Sequence, residues 1–137
     1  MRHSCTGTAN VATNATAMRC WKLGQAIGRA IHNWDSKARV VVMGTGGLSH
    51  QLEGERAGHI NKPYDQRFLD SLLGDPTWVT RQGINEIVRE VGTQGIELLN
   101  WLVARAAMPG TVKEVHRTYH IPISNTAAAV MALEIAG

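Results

Sequence analysis

The chain has 137 residues with a net charge of +3, and 44% of it is hydrophobic against 18% charged. That length and balance fit one folded domain with its own core and exclude a disordered chain. The basic residues are scattered and form no run, so neither nucleic acid nor an acidic membrane surface is an expected partner.

Two cysteines, Cys5 and Cys20, make no disulfide framework. A reducing cytoplasm is therefore the expected compartment. No window carries the long apolar run of a membrane helix, and the first residues lack the apolar core of a signal peptide.

Residues 1–16 are rich in Thr, Ala and Asn without a period and read as an irregular leader, with the folded part over 17–137. From Met18, Cys20, Leu23, Ile27, Ala30, Ile31 and Trp34 recur at helical spacing, which predicts an amphipathic helix ending near Asn33. The short β-branched run at 39–43 predicts a central strand covered on both faces. A glycine turn, "GTGG", follows it. "PYDQRFLDSLLGD" predicts a helix from about Tyr64 to Leu73, stopped by Gly74, and "GINEIVREVG" predicts another.

"TQGIELLNWLVARAAM" predicts a longer helix, with Thr93 as its cap and Pro109–Gly110 as its end. "VKEVHRTYHI" alternates, with Val115, Arg117, Tyr119 and Ile121 on one side, and predicts a strand. After Pro122, Ser124 is expected to open a last helix through "NTAAAVMALEIA". Strands alternating with helices indicate an α/β domain, a layered sheet with helices packed on its faces. Two strands are few for such a sheet, so the chain reads as part of a larger fold.

Three places carry candidate chemistry. His50 follows the glycine turn at the carboxyl end of the predicted strand, where open α/β sheets place their ligands. It is either a functional group or an exposed loop histidine. The turn is a poor phosphate cradle: Gly44 and Gly46 fit the dinucleotide pattern, but Ser49 fills its sixth place. Glu97 is a carboxylate inside an apolar helical stretch. It is either a metal ligand or part of a narrow polar stripe with Thr93 and Asn100. Ser124 and Asn125, at the predicted helix start, are either a cap or a seat for a carboxylate on the helix amides. His116 and His120 on one strand would stand about 13 Å apart, too far to share an ion.

Taken together, "GTGGLSHQLEGERAG", "GTQGIELLNWLVARAA" and "YHIPISNTAA" resemble, in order, the C-terminal half of the catalytic (β) subunit of class III extradiol ring-cleavage dioxygenases. The likeness runs from about Arg19 to Ala136 and is nearest to the protocatechuate-cleaving members, with the gallate-cleaving ones close by. The resemblance implies extradiol cleavage of a catechol-type aromatic acid such as protocatechuate, using Fe(II) and O₂. It implies His50 as the acid/base group, Glu97 as the iron's carboxylate ligand, and Ser124 and Asn125 as contacts to the substrate's carboxylate.

The same resemblance implies an oligomer and a small helical α subunit as partner. It places the iron's two histidines in the family's other half. Neither His3 nor His32 stands in a ligand motif, so the chain reads as truncated and is expected to bind iron poorly by itself. The alternative is a non-catalytic remnant or interaction subunit that keeps half of the fold.

Overall fold

In the computed structural model, residues 16–136 are described. The leader expected over 1–16 lies outside them except for Thr16, as do His3 and Cys5. Thr16 is the cap of helix α1, Ala17–Asn33, its side chain accepting the Arg19 amide at 3.2 Å. The buried stripe of α1 is Ala17, Cys20 and Gly24. It lies unusually close to a later helix, α4, Leu98–Ala106. A β-carbon on Gly24 would stand 2.3 Å from the Val103 carbonyl oxygen, and one on Gly28 2.5 Å from that of Ala107. Any larger side chain at either position would force the two helices apart.

Helix α2, Lys62–Gly74, begins where Asn61 caps the Tyr64 amide and Pro63 sits in the first turn. It supplies Phe68, Leu69 and Leu72 to the core. A 3-10 turn, Trp78–Arg81, leads to α3, Ile84–Val91, which buries Ile87 and Val91. A second 3-10 turn, Gly95–Glu97, opens into α4, whose Leu98, Leu99 and Leu102 close the core around Leu48. The one long helix expected here is thus two pieces. Glu97 stands at the N-cap position, and the Thr93 hydroxyl turns to Gln94 instead of capping.

Near the end of α4, the buried Arg105 donates to three carbonyl oxygens, of Leu72, Met108 and Gly110. It thereby ties α2 to the segment that turns the chain into the sheet. The polypeptide supplies every acceptor for this cation, and burial pulls its pKa below the ordinary value.

Strands β1, Val112–His120, and β2, Ala128–Ile135, form an antiparallel two-stranded sheet, with Tyr119 opposite Ala129 and an irregularity between Glu114 and His116. Tyr119, Ala129 and Met131 face the helical core. His116, Thr118, His120, Val130 and Ala132 are exposed. The fold is α/β, as expected, with helices against a small antiparallel sheet.

Two expected elements are corrected. The last helix is β2. Its residues are helix formers, but Ala129, Met131 and Leu133 are partly buried while Ala128, Val130, Ala132 and Glu134 are exposed, a period of two. Pairing with β1 overrides the local preference. Ser124 and Asn125 therefore lie on the connection between the strands, not at a helix start, and no helix dipole serves them.

The run at 39–43 is not a strand. No strand among the described residues pairs with it, and Val41 and Met43 remain 83% and 77% exposed. A β-branched run becomes a strand only where a ladder partner meets it. No helix of the described residues is long and apolar enough to cross a membrane.

Candidate active site

The glycine turn explains how two distant candidates meet. Gly46 has a φ of +123°, and a β-carbon there would stand 2.6 Å from Glu97 Cβ. The Gly47 amide donates to Glu97 Oε2 at 3.1 Å. On its other side, a β-carbon on Gly47 would stand 2.9 Å from His50 Cε1 and 3.1 Å from Thr126 Cγ2. One dipeptide thus lies against the carboxylate on one side and the imidazole on the other. The glycines are there for close approach, not for a phosphate.

His50 is buried, 6% exposed, and its backbone is fixed at both ends. Its amide donates to the Val91 carbonyl at 2.8 Å and its carbonyl accepts the Gly95 amide at 3.2 Å. Gly92, with φ +86°, lets the α3–α4 connection pass over that carbonyl. The ring's Nδ1 is 2.9 Å from the Leu48 carbonyl oxygen. A carbonyl only accepts, so Nδ1 carries the proton and the neutral ring keeps its lone pair on Nε2.

Behind His50 lies a polar network that no sequence motif announced. Asp65, on the first turn of α2, is fully buried. Its Oδ1 accepts the Ser49 amide at 2.9 Å, and its Oδ2 accepts the hydroxyls of Ser49 at 2.6 Å and Tyr119 at 2.8 Å. The Ser49 hydroxyl in turn accepts the Asn61 amide at 2.8 Å. Burial pushes the Asp65 carboxyl above the usual carboxylate range, against the pull of these donors. One signal for it was present: Asp65, Phe68, Leu69 and Leu72 share one helical stripe, so the carboxylate stands on an apolar face.

Asn125 has a φ of +53°, a left-handed conformation that Asn tolerates on a tight turn. A β-carbon on Gly58 would stand 3.4 Å from its Nδ2, so the turn between the strands meets the loop that follows His50. The next residue is Thr126, which abuts Gly47, and Ala127 exchanges backbone hydrogen bonds with Leu48 and Ser49. Ser124 lies exposed on the same turn.

The structure therefore gathers His50, Glu97 and the Asn125 turn around the glycine loop. Neither His50 nor Glu97 lines either of the two large cavities. The nearer, about 520 Å³, runs past the other side of the turn, along Val41–Gly46, Trp101 and β2.

Among the described residues, no group of three His, Cys, Asp or Glu side chains is placed to hold a metal ion. Glu97 alone offers one carboxylate beside the glycine loop, and His116 and His120 sit exposed on β1. These residues do not fit a complete iron centre.

The family described as the catalytic LigB subunit of aromatic ring-opening dioxygenase matches residues 7–131. The chain belongs to this family. Among its relatives, gallate dioxygenase of Pseudomonas putida is 40% identical over 119 residues, covering 87% of this chain and 35% of the relative. The 2,3-dihydroxyphenylpropionate/2,3-dihydroxicinnamic acid 1,2-dioxygenase of Xanthobacter autotrophicus is 31% identical over 164 aligned residues, covering 85% of this chain and 52% of the relative. This LigB-family chain thus spans about a third of one relative and about half of the other. Both relatives carry dioxygenase names, one for gallate and one for 2,3-dihydroxyphenylpropionate, and neither is named for protocatechuate.

Proposed function

We propose that residues 17–137 form the C-terminal part of an extradiol dioxygenase catalytic domain that opens the ring of a catechol-type aromatic acid, protocatechuate or gallate, with O₂ and Fe(II). The observation that carries this reading is the Gly46–Gly47 dipeptide, which sets Glu97 and His50 on its two sides. The family match and the gallate-cleaving relative support the substrate class.

In this reading Fe(II) would hold the diol and O₂ next to each other, with Glu97 as one of its ligands and the remaining ligands from outside the described residues. His50 moves protons at Nε2, the ring nitrogen that the Leu48 contact leaves free. It takes one from the diol and returns one as the ring opens. Ser124 and Asn125 meet the substrate's carboxylate from an exposed turn, through a hydroxyl and a side-chain amide. The assembly is an oligomer in the cytoplasm, with a small helical α subunit as partner.

The test is O₂ uptake on protocatechuate and gallate, with product identified as the ring-opened acid. Turnover that needs added Fe(II) supports the proposal once the chain is joined to the rest of a relative's catalytic subunit. No ring-opened product from that joined protein would overturn it.

A second reading is a non-catalytic or interaction subunit that keeps this half of the fold. It predicts no turnover even in the joined protein.

A further inference from the structure

The buried carboxylate of Asp65 has no place in the proton transfer just described, yet it is held by three hydrogen bonds beside His50. It accepts three donors, two of them from Ser49, the residue immediately before the histidine. Ser49 is pinned further, since its hydroxyl accepts the Asn61 amide and its carbonyl accepts the Ala127 amide at 3.1 Å. One residue earlier, the Leu48 amide donates to the Ala127 carbonyl at 2.9 Å, and the Leu48 carbonyl receives the His50 ring. The orientation of the imidazole therefore depends on where one peptide carbonyl points, and the peptide that carries it is gripped from the side of Asp65.

We propose that Asp65 is a positioning residue for His50: by holding the amide and hydroxyl of Ser49 it fixes the Leu48–Ser49 peptide, so that the Leu48 carbonyl keeps the proton on Nδ1 and the lone pair on Nε2. The inference rests on the reading of His50 as the proton-transfer group, but its test reads the ring itself and needs no turnover. Two routes lead from Asp65. The Ser49 route reaches the histidine. The Tyr119 route only ties α2 to β1. Losing the first should release the ring, and losing the second should not.

The experiment is nitrogen NMR of the imidazoles in the full chain, at a pH where the histidines are neutral, with His50 assigned by the missing signal in His50→Gln. Wild type is expected to show His50 protonated at Nδ1. In Asp65→Ala the ratio of the Nδ1–H to the Nε2–H form should fall by about tenfold, the size expected when one well-placed hydrogen bond is lost, and in Ser49→Ala, which loses the hydroxyl but keeps the backbone amide on the Asp65 carboxylate, by about threefold. In Tyr119→Phe the ratio should stay at the wild-type value. Val79→Ala, which opens the core under α1, should also leave it unchanged although the protein is less stable. That separates positioning from general loosening. Should Asp65→Ala not fold, Ser49→Ala alone decides. A wild-type ring protonated at Nε2, or an unchanged ratio in folded Ser49→Ala, would overturn the proposal. An unchanged ratio would leave the dioxygenase reading untouched, and failed ring cleavage would leave this result untouched.

Discussion

The amide of Gly47 reaches Glu97 Oε2 at 3.1 Å across fifty residues of sequence, and this contact joins the glycine loop to the start of α4. Gly46, its neighbour, has no room for a β-carbon and a φ of +123°. Gly46→Ala should therefore destabilise the fold by about 2–3 kcal/mol through overpacking and strain together. Gly47→Ala, which meets only a ring edge and a methyl group, should cost about 1–2 kcal/mol. Urea unfolding checks both, and equal, negligible shifts in midpoint would contradict the close approach.

Both tyrosines of the chain are held away from ionisation. Burial pushes the Tyr64 and Tyr119 hydroxyls well above their usual range, and nearby carboxylates push in the same direction. The native protein should show little tyrosinate absorbance at pH 10, where the urea-unfolded chain is about half ionised. The sign for stability follows. Between the unfolded and folded values the unfolded chain has lost protons that the native one keeps, so stability falls as pH rises above about 10. Native tyrosines titrating at the unfolded position would contradict the buried hydroxyl contacts.

Asp65 makes a prediction at the acid end. Its folded pKa is raised above the ordinary value of 3.8, first by burial. A raised carboxylate means the native state holds the proton longer, so this group's contribution to stability falls as pH rises from 3.8 to its folded value. Asp65→Asn removes that titration. The stability of wild type relative to Asp65→Asn should therefore decline over this interval and level off above it. Asp65→Ala, which strands three donors, should cost about 3 kcal/mol above that interval, where the relative stability has levelled off, and more below it. Denaturant unfolding across the pH series measures both, and a relative stability that rises with pH would contradict the assignment.

Much of the helical architecture was legible because the apolar spacing of α2 agrees with the burial it achieves, whereas in α1 the helix was legible but not its face: Leu23, Ala30 and Trp34, expected on the apolar side with Cys20, are exposed, and the buried stripe is Ala17, Cys20 and Gly24. The hairpin was half legible. β1 alternates in its own sequence, whereas Ala128–Ile135 is written in helix formers and becomes a strand only because β1 lies next to it. The run at 39–43 erred the other way: Val40, Val41 and Val42 favour a strand, but a ladder needs a neighbour that local sequence does not contain. At the candidate site, His50 and Glu97 were singled out by motif, while the reason they share one loop, Glu97 against Gly46 and Gly47 and His50 against Gly47, is a tertiary arrangement that spacing cannot reveal. The carboxylate seat at Ser124 and Asn125 was expected at a helix dipole, and that part fell with the helix.

In the proposed function, His50 and Glu97 serve one ring-cleavage site in different roles. The most direct test joins these residues to the N-terminal part of the Pseudomonas putida gallate dioxygenase and measures iron content together with O₂ uptake on gallate and protocatechuate. The unextended 137-residue chain should hold little iron and show little or no turnover. The joined protein should show Fe(II)-dependent uptake. Glu97→Ala in it should lose the iron, and His50→Ala should keep the iron while its rate falls about a hundredfold or more, the scale of a lost acid/base group. Full turnover by joined His50→Ala, or stoichiometric iron retained by joined Glu97→Ala, would contradict the account.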